Sequence, residues 1–291
     1  VLLKKSHQLA RHGLTGYTYY NQDNDFQIPQ YAKPFSEIQI LRERFNHPAR
    51  WRKSARIFVN SISDLFHDRV CADPDTLESI LNIMKWNNQH TYIVLTKRAQ
   101  LMCELMNYYL VNCCEDGDLD HVEFGVSVED QEAADERIDW LLGVPEGKRI
   151  LSMEPLLGPV TLKPEWLAGI SGVIVGGESG KDARPMHPGW VRTIRDQCID
   201  AGVPFFFKQW GEWAPRDGKR IKLNQKYRFV WWDNDDPKEG WIASSGEQSV
   251  RVGKKKAGRF LDGREWNDLP LQAEPLTNHQ LSHDPKKRME I

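Results

Sequence analysis

Six short apolar runs punctuate the middle of the chain: Arg56–Asn60 (RIFVN), Thr91–Thr96 (TYIVLT), Val122–Val128 (VEFGVSV), Arg149–Met153 (RILSM), Gly172–Gly176 (GVIVG) and Pro204–Phe207 (PFFF). They are continuous rather than alternating, which predicts strands buried on both faces. Helix-period segments separate most of them: Pro74–Trp86, Ala99–Leu110, Gln131–Leu142 and Pro188–Ala201. The stretch near Pro164–Leu167 leaves room for only a turn or two. Strand, helix, strand in repetition is the signature of right-handed βαβ units. The pattern fits a (β/α) barrel or a doubly wound open sheet. No G-x-G-x-x-G follows the first run, which weighs against a dinucleotide-binding fold. The expected fold is therefore α/β: a TIM-like (β/α) barrel, partial or incomplete, over residues 1–213.

The flanks read differently. Residues 1–12 have a helical pattern with Leu2, Leu3 and Leu9 apolar. Residues 13–55 are loop-rich, with one short helix expected near Ser36–Phe45. The chain opens at Val1, inside the first helix pattern and without a cap, which predicts a natural start further upstream. Beyond Trp213 a small antiparallel appendage is expected over residues 214–270. Its strand-like runs are Arg228–Trp232, Trp241–Ala243 and Ser249–Val252, with turn clusters at Asp233–Pro237 and Ser244–Gly246. Residues 271–291 read as a weakly ordered tail.

Composition narrows the class without naming a function. The 291 residues are 40% hydrophobic and 27% charged, with a formal net charge of −2. Nothing in that balance demands nucleic acid or membrane. No transmembrane-length apolar run or signal-peptide pattern occurs, so a cytoplasmic protein with no membrane partner is expected. Of eleven tryptophans, six lie between Trp210 and Trp266. The five cysteines, Cys71, Cys103, Cys113, Cys114 and Cys198, are odd in number and include no C-x-x-C pair. That spacing argues against a disulfide framework and against a metal site.

Chemistry concentrates where the strands end. Asn60, Ser61 and Asp64 follow the first run, and Thr96, Lys97 and Arg98 the second. Ser127 with Glu129, Ser152 with Glu154, Glu178, and Lys208 with Gln209 follow the others. In a barrel all these ends meet at one mouth. Lys97, Glu129, Glu154, Glu178 and Lys208 are the candidate catalytic residues. Together with Arg98 they predict a near-neutral polar mouth that suits a polar or zwitterionic ligand; the alternative is a salt-bridge network closing the barrel top. Gly176 and Gly177 open the loop that carries Glu178, and glycines there let a backbone approach a ligand. His67 reads as a cap or core-edge histidine, while His187, just before Pro188, could reach the mouth. No metal-ligand set and no G-x-S-x-G elbow is present. The basic run Lys254–Lys256, with Trp231, Trp232, Trp241 and Trp266 nearby, could stack and neutralise single-stranded nucleic acid.

These stretches carry a resemblance. IFVNSISDLFHD (57–68), VLTKR (94–98), FGVSVEDQEAADER (124–137), LSMEPLLGPV (151–160), VIVGGESGKDARPMHPGWVR (173–192) and FFFKQWGEW (205–213) resemble an uncharacterised phage and bacterial protein family. That family is similar to radical S-adenosylmethionine enzymes and opens with a three-cysteine motif. The resemblance implies a [4Fe-4S] cluster and S-adenosylmethionine as cofactors. It places Asn60, Ser61, Asp64, Ser127, Gly176 and Gly177 as cofactor-binding residues. This sequence lacks the cysteine motif, so the chain as given is expected to bind no cluster. Two functions follow: a radical S-adenosylmethionine-like barrel acting on a nucleic acid or nucleotide, or a cluster-free barrel that binds one.

Overall fold

A computed structural model describes residues 19–20, 26–27, 38–60, 63–113, 117–216, 228–233, 235–239 and 247–268. The helix expected over residues 1–12, the strand at 241–243 and the tail at 271–291 lie outside them. Strands β1 (Tyr19–Tyr20) and β2 (Phe26–Gln27) form a two-residue antiparallel pair. Then come β3 (Arg56–Val59), α1 (Asp68–Cys71), α2 (Pro74–Trp86), β4 (Thr91–Thr96), α3 (Ala99–Cys113), β5 (Val122–Ser127) and α4 (Gln131–Leu142). β6 (Lys148–Met153), α5 (Pro164–Leu167), β7 (Gly172–Gly176), α6 (Pro188–Asp200) and β8 (Phe205–Gln209) complete the larger unit. Where one short helix was expected near Ser36–Phe45, the chain makes 3-10 turns at Arg42–Arg44 and Pro48–Arg50. Pro48 brings no amide hydrogen to extend the first into a helix.

β3 to β8 form one parallel sheet in sequence order, curled into a half-barrel. Register assigns its two faces, because side chains alternate along a strand. Tyr92, Val94, Phe124, Val126, Leu151, Met153, Val173, Val175 and Phe207 all lie on one face, fully buried. They meet Leu81, Met102, Met106, Ile138 and Ile194 from the surrounding helices in a single core. The inner face pairs Phe58 with Ile93, Leu95 with Gly125, Gly125 with Ile150, and Ile174 with Phe206. It is less covered than the double-sided burial expected from the runs: Phe58 is 46% exposed, and Ile93, Leu95, Ile174 and Phe206 are half-buried. A half-barrel has no opposite wall to pack against this face.

Local signals set the helix starts. Asp130 accepts from the Ala133 amide at 2.9 Å to cap α4. His187 Nδ1 accepts from the Gly189 amide at 2.9 Å to cap α6, with Pro188 as its first residue. His67 Nδ1 caps α1 through the Arg69 amide at 3.2 Å. Among the described residues no helix is long and apolar enough to cross a membrane.

A separate antiparallel sheet is built from β9 (Trp213–Pro215), β10 (Phe229–Asp233), β11 (Asp236–Glu239) and β12 (Gln248–Arg251), in the order β11-β10-β12-β9. The expected turn at Asp233–Pro237 is shorter than its composition suggests: Asp233 already pairs with Asp236, so β11 starts within it. The sheet docks on α6. Trp190 Nε1 donates to Asp235 at 2.5 Å, and Arg192 holds Asp262 at 2.9 Å and also Glu247. α7 (Lys254–Ala257) follows, and the chain then returns to the half-barrel. The Phe207 amide donates to Trp266 carbonyl at 3.0 Å, so this segment covers the β8 edge. Among the described residues no strand pairs with the other side of β3.

Candidate functional site

The inner face continues past the strand ends into a polar rim. Two residues beyond Leu95 stands Lys97, and two beyond Ser127 stands Glu129; the two side chains form an ion pair. Arg137, from the second turn of α4, reaches the same carboxylate at 2.8 Å. It also donates to the Ser127 carbonyl at 2.8 Å. Burial pushes the Glu129 carboxyl up, but Lys97 and then Arg137 outweigh it and hold it below the usual carboxylate range.

Glu154, two residues beyond the buried Ser152, is held by Lys208 Nζ at 2.7 Å and by Gln209 Nε2 at 3.3 Å. Between them lies Gly176, where an added Cβ would meet the Glu154 carboxyl carbon at 3.1 Å. Lys97, Ser127, Glu129, Glu154 and Lys208 therefore share one rim on one face. Its floor is apolar. Leu95 and Ile150 close over Gly125, where a Cβ would stand 2.4 Å and 2.6 Å from them.

The other predicted residues have partners of their own, and the Glu178 partner Arg184 also feels the charge of Glu129. Glu178 is clamped by Arg184, whose Nε and Nη2 donate at 2.8 and 3.1 Å while the Arg184 amide adds a third bond at 2.8 Å. Those bonds to Arg184 hold the Glu178 carboxyl below its usual range against the opposing effect of burial. Asp64 accepts from Thr96 Oγ1 at 2.9 Å, from Arg98 Nη1 at 2.7 Å and from the Phe66 amide at 2.9 Å. Asn60 takes a left-handed turn conformation, φ 53°. Ser61 lies outside the described residues.

The two glycines are closed by the protein itself. A Cβ on Gly177 would stand 2.1 Å from the Trp210 carbonyl oxygen, and one on Gly211 would stand 2.1 Å from that of Glu178. Gln209 bridges this backbone contact: Nε2 donates to the Gly177 carbonyl at 2.8 Å, and Oε1 accepts from the Gly211 amide at 2.6 Å. His187 faces the appendage instead of the rim, packed between Trp190 and Trp232 at ring-centroid distances of 5.5 and 4.7 Å. Burial there holds its pKa below the ordinary value despite the nearby Glu247.

Beside Lys208 the rim opens into a cleft of about 440 Å³, lined by Lys208, Gln209, Lys254, Lys255, Gly258 and Arg259. Lys254, Lys255 and Lys256 are exposed, and their side chains make no hydrogen bond or ion pair among the described residues. The Arg259 guanidinium lies 5.2 Å from the centroid of Phe206, on the inner face. Trp232 and Trp266 are buried, and Trp241 lies outside the described residues.

A family model matches residues 9–270. The chain belongs to the family described as Protein of unknown function (DUF5131). This agrees with the expectation of an uncharacterised family. No curated protein and no solved structure matches the chain.

Metal chemistry has no donor set among the described residues of this family member. No three His, Cys, Asp or Glu side chains gather to hold an ion there. Cys71, Cys103, Cys113 and Cys198 stand on α1, α3, α3 and α6 as free thiols. Burial pushes Cys71 up to about 11 and Cys198 up to about 12. A cluster needs closely spaced thiolates, so these four do not fit one.

Sequence reasoning missed Arg137 and Arg184. Arg137 had a signal: it stands four residues after buried Ala133 on α4, so it shares the inward stripe. Arg184 had none, since only the return of the 180–184 loop brings it to Glu178.

Proposed function

We propose that the half-barrel binds a nucleotide or nucleic acid, with the base over the apolar inner face and a phosphate in the adjoining basic cleft. The carrying observation is that Lys208 belongs to both: it pairs with Glu154 on the rim and lines the cleft with Lys254, Lys255 and Arg259. The cleft volume lies within the range of small-molecule sites. The reading takes the half-barrel as a partial TIM-like barrel, whose ligands sit at the C-terminal ends of the strands. The rim of Lys97, Ser127, Glu129 and Glu154 supplies donors and acceptors for the sugar and the base edge.

The test is titration with nucleoside mono- and triphosphates and a mixed-sequence oligonucleotide. Binding is expected to fall at least tenfold in the double variant Lys254→Glu, Lys255→Glu, with the melting temperature unchanged. For an oligonucleotide, two to three phosphate contacts give a log–log salt slope of about −2. Absence of binding by every probe, or binding indifferent to both charge reversals, overturns the reading.

A radical S-adenosylmethionine-like function is the second reading. The observation that favours it is the parallel six-strand half-barrel with polar groups at every strand end. The described cysteines do not fit a cluster, so no step is derived through one. Anaerobic purification of the intact native protein tests it: stoichiometric iron and sulfide with thiolate–iron absorption support this function, and their absence counts against it.

A further inference from the structure

The geometry points to single-stranded nucleic acid as the ligand class, with Phe260 as a base-stacking platform at the outer lip of the cleft; this rests on the nucleotide reading above. The first observation is charge. Between Gly253 and Arg264 stand five cations, Lys254, Lys255, Lys256, Arg259 and Arg264, against one carboxylate, Asp262, in a chain whose net charge is −2. Asp262 is already taken by Arg192 and Arg195. Arg259 is paired with Glu265 at 3.7 Å just beyond this stretch, so the excess of positive charge presented to solvent is carried by Lys254, Lys255, Lys256 and Arg264.

The second observation is an aromatic ring where the apolar logic of the fold gives no reason for one. Phe260 is 59% exposed, although its neighbour Leu261 is fully buried. A lone exposed apolar residue is ordinary. Phe260 differs from Trp51, Phe58, Trp86, Tyr108 and Trp140, exposed aromatics among the described residues that all stand outside this basic stretch. Its backbone is also fixed. Trp210, itself buried, donates its amide to the Gly258 carbonyl at 3.1 Å and its Nε1 to the Phe260 carbonyl at 2.8 Å. Two bonds from one residue thus bracket Arg259 and hold the loop that displays the ring.

A fixed aromatic face beside cations that follow a backbone is the arrangement by which single strands bind without sequence preference. A mononucleotide would fill the cleft and leave Phe260 and Lys256 unused. A duplex offers phosphates but no exposed base face to stack. The observations therefore favour a strand whose phosphates pass Lys254 to Lys256 and whose bases reach Phe260 and then the inner face.

The experiment measures binding of thymidine monophosphate, oligothymidylates of increasing length, the matching oligouridylates, a duplex and inorganic polyphosphate. Affinity is expected to rise with length and then level, and to favour single strands over the duplex. Phe260→Ala is expected to weaken oligonucleotide binding about tenfold or more, from the known worth of one stacked base. It should leave polyphosphate binding and the melting temperature unchanged, and Phe260→Trp should retain affinity. A monophosphate that binds as tightly as the oligomers, a duplex that binds as well as a single strand, or a silent Phe260→Ala overturns the inference. If the Lys254→Glu, Lys255→Glu variant still loses nucleotide binding in that case, the broader reading stands. If no probe binds, both fall.

Discussion

Carboxylates stand at both ends of the same inner face, and they live in opposite circumstances. At its base Glu123 is fully buried; it is paired with Arg56, which reaches across β4 to Oε2 at 2.5 Å, and faces Lys148 on the next strand. Its other oxygen, Oε1, is buried with no hydrogen-bond partner among the described residues. At the mouth, Glu129 is also buried but has two cations, and half-buried Glu154 has Lys208 and Gln209. Burial outweighs Arg56 and raises the Glu123 pKa, whereas the mouth cations outweigh burial and lower that of Glu129. The contrast separates two uses of one residue type. The base pair is a strut whose charge the protein can hardly tolerate, while the mouth surrounds Glu129 with two cations and leaves Glu154 partly open to a ligand.

Removing Arg56 tests the base most severely. Arg56→Met leaves Glu123 buried without its cation, a change that costs about 3–5 kcal/mol when one partner of a buried pair is lost. The sign of the pH dependence is fixed by the raised pKa. A carboxyl raised above its ordinary 4.5 stabilises the fold fully below that value, and the contribution is lost as pH rises through the folded pKa. Urea denaturation should therefore show a larger deficit for Arg56→Met at pH 8 than at pH 5. The double variant Arg56→Met, Glu123→Leu should recover most of it, because an apolar pair leaves no charge to bury. A deficit independent of pH would show that Arg56 acts by packing alone, and the comparison with the mouth would fail.

The mouth has its own rigid point, but it is made of backbone. Gly177→Ala would drive a Cβ to 2.1 Å from the Trp210 carbonyl oxygen, and backbone cannot give way cheaply. Overpacking of this kind costs typically 1–3 kcal/mol, and about 3 kcal/mol is expected here by urea denaturation. Gly176→Ala meets the Glu154 side chain at 3.1 Å, and that side chain can swing away from Lys208. It should cost about 1 kcal/mol or less while weakening ligand binding. Equal losses for the two variants would mean that the glycines serve one packing purpose and that Glu154 is as fixed as the strut.

The difference between the two ends also explains what could be read from the sequence. All six strands of the half-barrel were legible, because a continuous run such as TYIVLT admits few other roles in a βαβ rhythm. Lys97, Glu129 and Glu154 were legible as strand-end residues, because each stands two places beyond an inner-face residue, while Lys208 stands near the end of β8, where a register shift brings Gln209 opposite Gly176. Their partners were less so. Arg137 and Arg184 arrive from a helix and from a loop, and pairing across elements depends on how those elements return. Glu123 reads as an ordinary interior strand residue, since nothing local says that Arg56 lies two strands away. The openness of the inner face was not legible either: apolar runs announce burial, but they do not say whether an opposite wall exists.

The smallest effect is the sharpest test of the mouth. Glu178→Gln removes the charge that Arg184 clamps while keeping the size and one acceptor of the side chain. The pair is partly solvated, so its loss should cost about 1 kcal/mol at pH 7, near the top of the range for surface ion pairs because the geometry is bidentate. Here the pKa is lowered, so the sign is opposite to that at the base. The contribution is present above the ordinary value of 4.5 and is lost as pH falls through the folded pKa. The stability gap between the native chain and Glu178→Gln should therefore hold steady from pH 8 to pH 5 and close below 4.5. Arg56→Met also loses more as pH rises, but its gap widens between pH 5 and pH 8, where that of Glu178→Gln is flat. Denaturation of the two variants across one pH series places the two pH windows side by side. If Glu178→Gln instead gained stability on the native chain as pH rose, its carboxylate would be burdened by burial like Glu123, and the mouth would be a second strut.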